Sequence, residues 1–461
     1  MLSNALSRAD ENISEPLRGT GIDQFPETSR GPHRGKIKYQ FGVLIIPHSA
    51  PNPNHESPTL QTPLSSCYDH EDLTGNRRNR KNRKTTMNRC YPLTVALSLA
   101  STLLVSQLAK ATEQAGKVRP QTIKKQPVKQ VAPDHTRVMI FRTASGLLQP
   151  VQSTADWSRR RADIVRGMES TMGPVPDPKR RCPLNIKILE ETRTEKYLRR
   201  KITYQAEPGD HVPAYLLIPH NLQKPARAML CLHQTTRIGK GEPAGLGGKP
   251  ALHYAHELAE RGYVCLAPDY PSFGDYPYDF NRAGEPYASG TMKAIWNNIR
   301  GVDLLQGLPM VAPDRIGCIG HSLGGHNTLF TAVFEQRIRA VVTSCGFTAF
   351  HHYYKGKLAP WAQDRYMPRV REVYGNDPDR ISFDFYEIIA ALAPRGVFIN
   401  APLHDGNFEN TGVRKVVDSA KSVYKLFDKE SSLQAVYPDC GHDFPTAIRQ
   451  QVYRWLDEQL K

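Results

Sequence analysis

Apolar and polar positions fall into three regimes along the chain. Over residues 1–86 they show no sustained period, residues 91–105 form one apolar stretch, and from about residue 137 short apolar runs alternate with amphipathic ones. In the last regime, residues 184–189, 197–204 and 212–218 are β-rich runs separated by turn residues such as Pro208-Gly209-Asp210. Later runs at 228–232, 263–267, 315–319, 338–342, 396–399 and 433–437 lose the polar alternation. Continuous apolar runs mark strands covered on both faces, as in a parallel sheet. Ile295, Ile299 and Val302 recur at spacings of four and three, and Ile448, Val452 and Trp455 do the same, so each set predicts one face of a helix. A hairpin-like start followed by β/α alternation predicts an α/β fold, a mostly parallel mixed sheet with helices on both faces.

The N-terminal regimes carry a different message. Residues 1–86 mix Pro, Asn, Ser and Gly and close on a basic run at 77–84. Such a segment buries too little apolar surface to offset the entropy of ordering it, and is expected to be a disordered or spurious extension. At Met87 the pattern changes. Arg89, the apolar stretch 91–105 and Ala109-Lys110-Ala111 have the basic start, apolar middle and small-residue cleavage site of a secretory signal peptide over residues 87–111. This predicts translation from Met87, cleavage after Ala111, and export to the periplasm or the medium. A membrane anchor over the same stretch is the alternative, and it also leaves the remainder outside. Residues 112–135, basic and Pro-containing, read as an extended linker, and 136–461 as the folded domain.

The formal charge of +16 is spread along the chain with no recognition motif, so no nucleic-acid partner is expected. Nor is membrane association expected beyond the leader or anchor. Eight cysteines would permit disulfides in an exported protein. Cys231, Cys265 and Cys318 fall in predicted core strands and read as buried thiols, leaving Cys182, Cys345 and Cys440 open. No metal is expected, because no Cys or His pair has a ligand spacing backed by a second pair. No cofactor is expected either. The Gly-rich residues 239–249 match neither phosphate-loop pattern and read as a flexible loop beside a site.

Gly320-His321-Ser322-Leu323-Gly324-Gly325 follows one predicted strand and precedes the helical run from Asn327. A serine on a strand-to-helix turn needs a strained backbone, and glycines two residues to either side allow the close approach this requires. The amide of Leu323, at a helix N-terminus, is placed to donate to a developing oxyanion. A serine hydroxyl is a poor nucleophile at neutral pH, so a base must take its proton and a carboxylate must orient that base. Asp405, after the strand at 396–399, and His442, after the last strand, supply these in the chain order expected for such a turn. Asp377, Asp379 and Asp439 are rival acids and His404 a rival base, while Asp443 is expected to cap the C-terminal helix. The second oxyanion amide is assigned to Thr235 in the loop after 228–232, with Gln234 as the alternative.

Elbow, order of residues and strand pattern together resemble the α/β-hydrolases over residues 150–461. The likeness is to the secreted esterases similar to dienelactone hydrolases and acetylxylan esterases, and to the catalytic domain of prolyl oligopeptidases. Residues 231–236, 267–276 and 401–405 carry the resemblance along with His442. Two departures stand out: Gln234 follows His233 where that branch has glycine, and Ser322 stands where true dienelactone hydrolases have cysteine. The resemblance implies a Ser322–His442–Asp405 triad acting through an acyl-enzyme on a small-molecule or carbohydrate ester. A serine peptidase of the prolyl-oligopeptidase type, which would be expected to carry a propeller-sized domain, is one alternative. A non-catalytic binding protein on the same fold is another. The long stretch between the strands at 338–342 and 396–399 holds His351, His352, Tyr353, Tyr354, Trp361 and Tyr366 and is expected to form a lid.

Overall fold

The computed structural model of the protein describes residues 133–282 and 284–461. The expected extension and the signal or anchor, with nearly all of the linker, lie outside the described residues.

The described chain opens with a two-stranded ribbon, β1 (Ile140–Arg142) and β2 (Leu148–Pro150), and a helix α1 (Thr154–Met172). None of these three was among the elements predicted from the apolar pattern. Ser153 caps α1 by accepting the Asp156 amide, and the helix buries Trp157, Ile164, Met168 and Met172.

A nine-stranded sheet follows, in the order β11-β10-β9-β8-β6-β7-β5-β4-β3. Strands β3 (Lys187–Arg193), β4 (Tyr197–Glu207) and β5 (Asp210–Pro219) form an antiparallel meander. It joins β7 (Val264–Pro268) in antiparallel register. From there β7, β6 (Ala226–Leu232), β8 (Val311–His321), β9 (Ile338–Ser344), β10 (Gly396–Asn400) and β11 (Leu433–Val436) are parallel. The mixed, mostly parallel sheet expected from the apolar runs is thus present.

Those runs are apolar throughout because both faces are covered. Along β6, Leu230 and Leu232 enter one core layer while Met229 and Cys231 enter the other. The first layer is closed by α1, α3 (Gly290–Gly307), α4 (Leu323–Phe334), α5 (Phe385–Ala391) and α6 (Asn410–Leu426). The second is closed by α2 (Tyr254–Glu260) and α7 (Thr446–Gln459). Residues 295–302 and 448–455 lie on helices as their spacing predicts. Helix α7, however, begins with Pro445 at its cap position and no side-chain cap, so Asp443 does not cap it.

Strand β6 lies between β7 and β8; the chain leaves β6 toward β7 on one side and leaves β8 toward β9 on the other. In parallel sheets the crevice at such a switch point, beyond the carboxyl ends of the strands, is where ligands bind. Ser322, Thr235, Asp405 and His442 all follow carboxyl ends of parallel strands here.

Candidate active site

Ser322 joins β8 to α4 with φ +54° and ψ −117°, a conformation uncommon for a residue with a side chain. The strain is held from both sides. The Ser322 amide donates to the Ser344 carbonyl at 2.9 Å, and its carbonyl accepts the His326 amide at 3.1 Å. A Cβ on Gly324 would stand 1.9 Å from the Leu232 carbonyl oxygen, and one on Gly320 2.2 Å from that of Gly324. Glycine at both positions is what lets the turn tuck against β6. The Ser322 side chain makes no capping bond to α4 and lines a cavity instead.

The Asp405–His442 pair is assembled by two loops joined through their backbones. Leu403 and His404 amides donate to the Pro438 and Cys440 carbonyls at 2.9 and 3.0 Å. His442 Nδ1 donates to both Asp405 oxygens, at 3.0 and 2.9 Å. Asp405 Oδ1 also accepts the Asn407 and Phe408 amides at 2.8 and 3.0 Å. Burial would push this carboxyl up, but the hydrogen bond and charge of His442, with the two amides, hold it below its ordinary value. Behind the histidine loop, the Asp443 carbonyl accepts from Cys345 Sγ at 3.3 Å and Asn400 Nδ2 at 3.0 Å. The His442 ring meets that of His321 edge-on with centroids 4.8 Å apart, which places it beside the Ser322 turn. No hydrogen bond joins Ser322 to His442 among the described residues; such bonds are often unformed in ligand-free sites.

The rivals are occupied elsewhere. His404 pairs with Asp439 at 2.7 Å, and Asp379 with His351 at 2.8 Å, all at exposed positions. His352 faces Glu409. Of the lid aromatics, Tyr353, Tyr354, Trp361 and Tyr366 line the cavity with Ser322, whereas His351 and His352 do not.

Thr235 and Leu323 border the same cavity, and Leu323 is the first residue of α4. His233 fixes the Thr235 loop: Nδ1 donates to the Gln234 carbonyl at 2.6 Å and Nε2 accepts the Tyr270 amide at 2.9 Å. The adjoining Gly-rich segment differs from the flexible loop expected. Lys240 and Asp269 are buried, and the ammonium donates to Asp269 and Asp275, each at 2.7 Å. Lysines 201 and 240 hold the Asp275 carboxyl down to about 2. A buried ion pair, invisible in a Gly-rich string, pins the segment.

The cavity has a volume of about 200 Å³. No residue lining it is acidic or is a lysine or arginine. Larger hollows, of about 800 and 440 Å³, open elsewhere on the surface and touch neither Ser322 nor His442. Sequence reasoning missed His326, Asn407 and Phe408 as lining residues. The only signal for His326 was its position one helical turn after Ser322.

All six described cysteines are free thiols, and Cys231, Cys265 and Cys318 are buried as their strands imply. His321, Cys345 and His442 could offer metal-ligand atoms within 4.8 Å of one another. Burial, followed by the charge of Asp405, pushes the Cys345 thiol well up, away from the thiolate that a soft metal takes.

Against known proteins, a family model described as the prolyl oligopeptidase family matches residues 252–461. The chain is 25% identical over 316 residues to YtaP of Bacillus subtilis (strain 168), a hydrolase by name, covering 65% of this chain and 100% of that one. The solved structure of a glucuronoyl esterase from Solibacter usitatus superposes with a TM-score of 0.58 at 18% identity, covering 72% of this chain and 99% of that one. A carbohydrate esterase family 15 glucuronoyl esterase from Caldicellulosiruptor kristjansonii superposes at 0.52 and 20% identity, covering 69% and 89%. At these identities the structural likeness is one of fold.

Proposed function

We propose that this chain, which has the α/β-hydrolase fold, cleaves carboxylic esters through an acyl-enzyme on Ser322. The observation that carries this reading is the pairing of buried Asp405 with half-buried His442, presented beside a strained serine turn at the carboxyl ends of parallel strands. Ser322 Oγ attacks the ester carbonyl as His442 Nε2 takes its proton. Asp405, accepting from Nδ1, keeps the ring in the tautomer whose Nε2 is free to do so. The amides of Leu323 and Thr235 receive the charge that develops on the carbonyl oxygen; one such donor is typically worth about 3 kcal/mol. His442 then returns the proton to the leaving alcohol, and water repeats the sequence on the acyl-enzyme.

The neutral, aromatic cavity suits an uncharged ester, and the glucuronoyl esterases among the structural neighbours make carbohydrate esters the first class to try. The prolyl oligopeptidase match keeps peptide bonds as a second reading. Export through residues 87–111 belongs to the proposal and is checked by N-terminal sequencing of the secreted chain.

Hydrolysis of short-chain p-nitrophenyl esters, run beside proline-containing peptide substrates, tests the reaction. Esters should turn over and peptides should not, and Ser322→Ala should lower kcat by about 10⁴-fold or more with folding intact. Ester release that survives in Ser322→Ala would overturn the mechanism; peptide cleavage alone would move the assignment to the peptidases.

A further inference from the structure

The side-chain bonds of His442 go to Asp405, and none among the described residues joins it to Ser322. The spacing of the serine turn and the histidine loop must therefore be set by what lies behind them. His321, Ser344 and Asn400 are the last residues of the adjacent strands β8, β9 and β10. The register pairs His321 with Ser344 and Ser344 with Asn400, and residues paired across strands put their side chains on one face. All three are buried. Asn400 Nδ2 donates to Ser344 Oγ at 2.9 Å, and Ser344 Oγ lies 2.9 Å from His321 Nδ1. The His321 ring ends this row against that of His442.

Asn400 Nδ2 carries two hydrogens, and the second goes to the Asp443 carbonyl at 3.0 Å, one residue past His442. Ser344, bound by the first, holds the Ser322 amide through its own carbonyl at 2.9 Å. One amide group is thus bonded both to the support of the serine turn and to the histidine loop. Cys345 Sγ reaches the same Asp443 carbonyl at 3.3 Å, but a thiol is a weak donor. Because a carbonyl only accepts, the nitrogen of Asn400 must face Asp443, and Oδ1 is left buried with no partner among the described residues. A buried orphan acceptor lowers stability. Val397, Phe398 and Ile399 just before it are apolar and buried, so packing does not explain an amide at this position.

We propose that Asn400 is a positioning residue, which holds His442 within reach of Ser322 by bonding Ser344 and the Asp443 carbonyl at once. The proposal rests on the ester-hydrolase reading and adds to it the side chain that sets the spacing of nucleophile and base.

Asn400→Leu and Asn400→Asp test it on the full chain, with p-nitrophenyl acetate as substrate and a fluorophosphonate that captures Ser322. Leucine removes both donors at similar volume, and aspartate keeps the shape but sets an acceptor against a carbonyl. Each should lower kcat by about 10- to 100-fold with KM changed by less than about threefold, the loss expected when a reacting group is displaced by roughly 1 Å. Fluorophosphonate capture should slow by a similar factor yet still reach full occupancy, because a displaced base delays capture whereas a misfolded fraction is never captured. Capture at the native rate in a reduced fraction, or a kcat within about threefold of native, overturns the proposal and leaves the ester-hydrolase reading standing. Where one variant yields no captured protein the other decides, and failure of both assigns Asn400 to folding and overturns the proposal. A native chain that neither cleaves the ester nor is captured overturns the ester-hydrolase reading itself.

Discussion

At the residue scale Asp405 is tightly held. It receives the His442 ring on both oxygens and two backbone amides on one of them. Its carboxyl is depressed on folding, so the stability it contributes is present above the unfolded carboxylate range and is lost as pH falls through the lower folded value. Asp405→Asn keeps the shape but turns an acceptor into a donor, and favours the histidine tautomer that cannot take the serine proton. We expect kcat to fall by about 10³–10⁴-fold with KM little changed. A loss under tenfold would mean that another group orients the base. Ser322, Asp405 and His442 could be picked out in the sequence because each follows a strand whose apolar run is unmistakable and the order of the three is set by the turn. His326 could not. A histidine on a helix that packs against the sheet looks like core, and whether it faces core or cavity is decided by Trp361 and Phe408, which arrive from segments far along the chain.

Among elements, the loops after β6 and β7 act as one piece. Asp269 accepts the Lys240 and Asp275 amides at 2.8 and 2.9 Å as well as the Lys240 ammonium. Gly239 and Gly274 have positive φ, and a Cβ on either would fall within 2.2 Å of an Asp269 oxygen. The same joined loops carry Tyr270 and Phe273, which pack on Leu323 at the start of α4. Lys240→Met removes the buried cation and strands the Asp269 carboxylate. It should destabilise the protein by about 3–5 kcal/mol in denaturant titrations. A change under about 1 kcal/mol would show that the amides alone satisfy Asp269. The strands of the parallel sheet were readable because burial on both faces removes every polar residue from their centres. The pinned loop, α1 and the edges of β8 were not, since ion pairs and caps between distant positions leave no period in the chain.

For the whole molecule, the ordered domain begins at least one residue before the expected boundary, with His135 of the presumed linker. His135 is buried, donating from Nδ1 to Glu387 at 2.7 Å and from Nε2 to the Ile381 carbonyl at 2.9 Å. With an acceptor on each ring nitrogen, the ring is bound as the imidazolium. Burial opposes that charge, but the hydrogen bond and charge of Glu387, aided by the charge of Asp384, outweigh it and raise the histidine above its ordinary value. Arg160 of α1 binds the other Glu387 oxygen, and Glu387 closes the capping box of α5 with Asp384. Asp384 in turn accepts the Phe350 amide at the base of the lid, so the N-terminal segment, α1, α5 and the lid meet at one buried cluster. A base whose value rises on folding contributes its stability in full below about 6.5, its unfolded value, and loses it as pH climbs through the folded value. Burial pushes Asp384 up to about 6, so its titration is centred below that of His135. Denaturation midpoints of the native protein should therefore fall as pH climbs from about 6.5 through the raised folded value of His135. His135→Leu should be about 2 kcal/mol less stable at about pH 6, lack that slope, and approach the native curve at the alkaline end. Parallel curves across the whole range would show that His135 is held neutral, and that the tether between linker and lid is packing alone.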